Sequence, residues 1–215
     1  PPAAERRLFV CFGGGDTTEI LVRLLGALGE AKFPWPVDVA AVGGAAVRAR
    51  LDGLLLRLAP GSRLHVDRLG IADLMAGAWV AVGAAGTMAW QRACLGLPSV
   101  MMEDAALQAD VAAALAQSGA AVPLGSAVDF AGPAAIAAIR RLFDDAAAHR
   151  AMSNAALGLT DGLGARRVAA AFALEQDRRE RTIAWRRVIW TDAEIMLAWQ
   201  SAPGARQHAR NPYAP

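Results

Sequence analysis

The sequence predicts an α/β protein built on a six-stranded, doubly wound parallel sheet of the Rossmann-like kind. Three observations carry this. Short β-branched or apolar runs alternate with helical patterns through the first 125 residues, the sequence form of parallel strands joined by crossover helices. The helical stretches hold their apolar residues at 3.6-residue spacing, as helices laid on a sheet face do. Glycine-rich turns follow the first and fourth strands, where sheets of this type take ligands.

The expected strands are Leu8–Phe12, Val37–Val42, Arg63–Val66, Trp79–Val82, Ser99–Met102 and Ala120–Pro123. Between them, Ile20, Leu21, Leu24, Leu25 and Leu28 form one helical stripe, and Val47, Leu51, Leu54, Leu55 and Leu58 form a second. A short helix runs from Ile71 through Leu74 and Met75, one begins in the first turn at Thr87, and another spans Leu107–Leu115. Beyond Gly132 the pattern is helical throughout. Pro133 suits the first turn of a helix to about Phe143, Asp144 and Asp145 loosen the chain, and helices follow over Ala151–Leu159 and Arg166–Arg179. These closing helices are expected to cover the sheet face and edge. Near Arg181 the character changes: Thr182–Trp190 alternates as a strand, and Thr191 with Glu194 forms a capping box for a helix through Trp199. The expected domains are therefore residues 1–180 and an incomplete β-α segment, 181–215.

Composition narrows the function. The chain has 215 residues, 55% of them hydrophobic, with 22 basic against 20 acidic side chains. The formal charge of +2 and scattered arginines without interleaved aromatics argue against a nucleic-acid partner. No apolar run reaches the roughly 20 residues of a membrane span, so no membrane partner and a cytoplasmic protein are expected. Cys11 and Cys94 read as buried thiols of a reducing compartment, and His65, His149 and His208 are too dispersed for a metal site, so no metal or cofactor is expected. The chain opens on Pro1 without Met, which fits a piece of a longer protein.

Candidate chemistry gathers at two turns. Gly13, Gly14 and Gly15 permit left-handed backbone and close ligand approach, while Asp16 or Thr17 caps the following helix. The spacing is not G-x-G-x-x-G, and Gly43-Gly44 rather than an acid closes the second strand, which disfavours NAD. The second turn, Gly83, Ala84, Ala85, Gly86 and Thr87, points backbone N–H groups and a helix dipole outward with no bulky side chain in the way, the chemistry of a phosphate cradle. In a sheet of order 3-2-1-4-5-6 the first and fourth strands are neighbours where the winding reverses, so both turns flank one crevice. From the fifth strand, Glu103, Asp104 and Gln108 either reach a sugar or ribose, or cap a helix. Gln91 either bonds ribose hydroxyls or is a solvated helix position. Trp90 and Met88 read as core or crevice wall rather than a stacking platform, and His65 as a ligand contact or a capped surface or interface histidine.

The blocks F-G-G-G-D (12–16), I-A-D-L-M (71–75), V-G-A-A-G-T-M-A-W-Q-R-A-C-L-G-L-P-S-V (82–100), Gln108 and M-S-N-A-A-L-G-L-T-D-G-L-G-A-R-R-V (152–168) resemble the carboxyl-terminal half of the nucleotide-sugar hydrolases of pseudaminic-acid biosynthesis. The likeness covers about residues 7–175. That family releases UDP from a diacetamido-trideoxy sugar and is related to glycosyltransferases of the GT-B type. The resemblance implies that this lobe holds UDP or a UDP-sugar, with the diphosphate at Gly13–Gly15 and Gly83–Thr87, uracil on backbone near Ile71, ribose at Gln91 and the sugar near Glu103 and Gln108. It also implies that a missing amino-terminal lobe supplies a histidine near the reacting carbon, so that no catalytic residue lies in this chain. The family carries Glu where Gln91 stands, whose loss costs about 1 kcal/mol of ribose binding. It carries a polar Asn where Leu107 stands. The tail from 182 resembles the opening strand and helix of GNAT-type acyltransferases, without their CoA pyrophosphate turn. Two other readings stay open: a non-catalytic scaffold lobe for an attached acyltransferase, and the donor lobe of a GT-B glycosyltransferase.

Overall fold

The computed structural model describes residues 6–179, with side chains through residue 172. The strand and helix expected over 182–199, and the acyltransferase-like tail with them, lie outside the described residues. The chain divides into two units, Pro1–Ala165 and Arg166–Pro215.

The first unit is built on a six-stranded parallel sheet of order β3-β2-β1-β4-β5-β6. Its strands are β1 (Leu8–Cys11), β2 (Val37–Ala41), β3 (Arg63–Val66), β4 (Val80–Ala84), β5 (Ser99–Glu103) and β6 (Ala121–Ser126). Its helices are α1 (Thr18–Glu30), α2 (Gly44–Leu55), α3 (Ala72–Ala76), α4 (Thr87–Cys94), α5 (Ala109–Gln117), α6 (Gly132–Asp144) and α7 (Ala146–Leu157), with α8 (Gly164–Arg179) following. This is the doubly wound order the sequence implies, with β1 and β4 paired where the winding reverses.

Strand alternation sorts the core into two faces. Leu8, Val10, Val37, Val39, Val80, Val82 and Val100 point towards α1, α2 and α6, and join Leu21, Leu24, Leu25, Leu51, Ile139 and Phe143 in the larger cluster. The stripe on α1 is fully sequestered: Leu24→Ala is the kind of core truncation that costs about 2–5 kcal/mol. Phe9, Cys11, Ala40 and Ala81 point to the other face, with Met75 and Leu97. Ala85, Ala89, Ala93, Met101 and Leu115 continue that face under α4 and α5, where small residues let the helices approach closely. At the strand amino ends, His149 of α7 stacks on Trp79 with ring centroids 3.7 Å apart, and its Nε2 donates to the Trp79 carbonyl at 2.9 Å.

Several element ends differ from expectation for identifiable reasons. The fourth strand runs on through Gly83 and Ala84, because both are paired, Gly83 with Cys11 and Met101 and Ala84 with Met102. The seventh helix starts at Ala146, five residues early. Asp145, read from the sequence as loosening the chain, is its N-cap and accepts from the Ala147 and Ala148 N–H groups at 2.9 Å. The helix expected from Leu107 opens instead with a 3-10 turn, Ala106–Gln108, that leaves Leu107 65% exposed. Cys94, expected buried, is half-buried at the end of α4.

Gly83 is demanded by packing. A Cβ there would lie 2.1 Å from the Cys11 carbonyl oxygen and 2.8 Å from Arg92 Nη1, whereas one at Gly14 would meet nothing within 4 Å. Gly83→Ala is therefore expected to cost about 3 kcal/mol or more, and Gly14→Ala less than about 0.5 kcal/mol, in chemical denaturation. Equal stability of the two variants would contradict this. Burial, helped by the Arg6 and Arg150 charges and opposed by the Trp79 carbonyl, holds the His149 pKa below its ordinary 6.5. The unfolded chain thus binds the proton more readily, so His149 contributes stability that is present above pH 6.5 and lost as pH falls below it. The stability difference between the wild type and His149→Phe is expected to shrink on acidification through this range, and a pH-independent difference would refute the assignment.

Candidate functional site

Helices after β1 and β4 leave the sheet on opposite faces, so a crevice opens at the carboxyl ends of these two strands. The cavity there has a volume of about 580 Å³, within the range of small-ligand sites. One wall is Phe12 with Gly13, Gly14 and Gly15; the floor is Ala84, Ala85, Gly86 and Thr87; the far wall is Met88, Trp90, Asp104, Leu107, Gln108 and Val111. Gly13 takes φ of 111°, a left-handed backbone conformation that favours glycine at the crevice wall.

The helix ends at this edge differ in how their N–H groups are satisfied. Asp16 Oδ1 accepts from the Thr18 N–H of α1 at 3.2 Å, and its bonds to Thr18 hold its carboxyl below the usual range. Asp67, just past β3, accepts from both Gly43 and Gly44 at the start of α2, at 3.0 and 2.8 Å. The amino end of α4 has neither device: Gly86 is its N-cap with no side-chain bond, and no acid stands in its first turn. Its N–H groups and dipole face the cavity, and no carboxylate among the described residues is bonded to them.

Beneath this end lies Arg92, 1% exposed, which the sequence reading passed over. Its Nη2 donates to the Ala84 carbonyl at 2.7 Å. The available signal was a charged residue within the buried stripe of Ala89 and Ala93. On the sugar side, Gln108 Oε1 accepts from the Asp104 N–H at 3.0 Å, which ties the 3-10 turn to β5 and leaves its Nε2 beside Gly86.

The crevice gathers Gly13, Gly14, Gly15, Ala84, Ala85, Gly86, Thr87 and Gln108 from the residues singled out in the sequence. Others stand apart. Gly83 is in β4 and serves strand packing. Thr17 is buried, its carbonyl accepting from Leu21 in α1. Asp16 lines a neighbouring cavity of about 400 Å³ with Gly14, Gly15, Gly43 and Arg50. Glu103 ends β5, its carbonyl bonded to the Ala127 N–H, and Asp104 reaches the cavity in its place. Ile71 caps α3 and packs against the same cluster as Met88, outside the cavity, and Gln91 is exposed on α4. His65 is a structural group: its Nε2 lies 3.1 Å from Asp38 Oδ1, and Arg7 binds the other carboxylate oxygen. Burial raises the Asp38 pKa, but the Arg7 and His65 hydrogen bonds and charges outweigh it and hold the carboxyl low. Among the described residues no helix is long and apolar enough to cross a membrane, and no group of three or more side chains is arranged to hold a metal ion.

No protein-family model and no curated relative matches the sequence. The structure is similar to UDP-GlcNAc 2-epimerase from Neisseria meningitidis, solved bound to UDP-GlcNAc, with TM-score 0.57 and 13% identity over 79% of this chain and 44% of that one. It is similar to the spinosyn rhamnosyltransferase complexed with thymidine diphosphate, with TM-score 0.61 and 20% identity over 80% of this chain and 45% of that one. The glycosyltransferase of kitacinnamycin gives TM-score 0.61 and 23% identity over 82% and 44%. The chain thus spans about half the length of the solved structures it matches. Its fold is that of a GT-B-like lobe, the architecture it has in common with these nucleotide-sugar epimerase and glycosyltransferase structures.

Proposed function

We propose that this chain is the nucleotide-binding lobe of a UDP-sugar hydrolase of the pseudaminic-acid type. The observation that carries the reading is the open amino end of α4 at the switch-point crevice, where Gly86 and Thr87 offer backbone donors and the Gly13–Gly15 turn faces them without side chains. The diphosphate lies there in this reading, and the nucleoside extends along α4 past Met88 towards Ile71 and Gln91. Gln108, with its Nε2 beside Gly86, meets the sugar. Water attacks the sugar carbon, the sugar–oxygen bond breaks and UDP leaves, its growing charge stabilised by the fixed N–H dipoles. The group that activates the water belongs, on this proposal, to a second lobe of the kind that fills the other half of the structural neighbours.

The likeness to structures solved with UDP-GlcNAc and with thymidine diphosphate supports a nucleoside diphosphate as ligand. Leu107, an exposed apolar side chain at the cavity wall, favours one second reading: a lobe that binds the nucleotide and takes no part in hydrolysis.

Calorimetry tests the site. UDP is expected to give saturable heat below millimolar concentration, UMP to bind about tenfold more weakly, and CoA to give none. Gly86→Asp, whose new Cβ meets only the end of Gln108, is expected to abolish UDP binding and leave the fold intact. Absence of heat with UDP up to millimolar concentration, or unchanged affinity in Gly86→Asp, would overturn the proposal. Turnover of the UDP-sugar by the full-length parent protein separates the hydrolase from the non-hydrolytic reading.

A further inference from the structure

Arg92 presents a buried charge that no carboxylate among the described residues pairs. Its guanidinium is packed between α4 and the carboxyl ends of β1 and β4, in the space that the absent Cβ of Gly83 leaves open. One donor, Nη2, is spent on the Ala84 carbonyl, and Nε and Nη1 are buried with no hydrogen-bond partner. Among the described residues no carboxylate forms an ion pair with it. Burial lowers its pKa to about 10, against the pull of Cys11, so it stays protonated at neutral pH. Cys11 does not supply the opposite charge: burial pushes its thiol up, more than the Gly13 backbone and Arg92 itself bring it down.

An unpaired guanidinium held out of water is a standing cost to the fold unless an opposite charge comes near. The residue it grips, Ala84, lines the crevice, and the next three residues form the open end of α4. The helix dipole and the buried cation therefore act from the same side of the cavity floor. We propose that Arg92 is an electrostatic positioning residue for anion binding: its charge, fixed behind the Gly83–Ala84 backbone, takes the diphosphate of a nucleotide at Gly86 and Thr87 as its counter-ion. The inference rests on the reading of the crevice as a diphosphate site. It adds a determinant that never touches solvent and that salt screens little.

The test compares Arg92→Met, which removes the charge at similar length, with Arg92→Lys, which keeps it. Inorganic pyrophosphate, UDP and UMP are titrated into each folded protein. Arg92→Met is expected to lose about tenfold or more in pyrophosphate and UDP affinity and to show a smaller UDP-to-UMP affinity ratio, while Arg92→Lys stays within about threefold of the wild type. Without ligand, Arg92→Met is expected to melt no lower than the wild type, since an unpaired buried charge has been removed. If Arg92→Met does not fold, Arg92→Gln, which keeps a donor for the Ala84 carbonyl, replaces it. Wild-type affinity in the neutral variant, or equal losses in the neutral and lysine variants, overturns the assignment while UDP binding by the wild type stands. Failure of the wild type to bind either pyrophosphate or UDP overturns the diphosphate site and this inference together.

Discussion

The close pairing of β1 with β4 governs the carboxyl edge of the sheet. Parallel neighbours cannot be joined by a hairpin, so each strand hands the chain to a crossover, and at this pair the crossovers depart on opposite faces. Gly83 faces Cys11 across the pair with no room for a Cβ. The strand therefore continues in register to Ala84, and α4 begins only three residues later. That short interval fixes where the first N–H groups of α4 point, and it brings the helix near enough for Arg92 to reach back to the strand it came from.

Around this fixed point the other loops are tied down by polar contacts from the body of the protein. Arg23 of α1 donates to the carbonyls of Ala127, Val128 and Phe130, which sets the connection after β6. Gln108 braces the turn after β5. At the opposite end of the sheet, Arg7, Asp38 and His65 clamp the first three strands, and His149 locks α7 onto Trp79. These groups at the amino ends are paired and structural, whereas Arg92, buried under the crevice, has no carboxylate partner among the described residues.

Strand order and the convergence of the two glycine turns were legible in the sequence because both follow from periodicity and from the handedness of crossovers. The glycines themselves were legible as a class but not by role. Gly13 and Gly86 border the cavity while Gly83 is a packing residue, a distinction that depends on which strand lies alongside. Asp67 was invisible for a similar reason, since its contacts to Gly43 and Gly44 span more than twenty positions and follow no spacing rule. Asp145 carried a usable signal, an acid immediately before an alanine-rich helix, and was misread because a second acid precedes it. Arg92 broke the apolar stripe of its own helix, and such a break marks a residue kept for something other than packing.

Asp67 carries one more implication. By seating its carboxylate on the start of α2, the protein has supplied that helix with a resident anion and so closed it to visitors. The amino end of α4, with no side-chain cap, is thereby set apart from that of α2, whose first N–H groups are already bonded. The contrast between these two helix starts is set three strands away from β4, by a side chain that takes no part in lining the crevice.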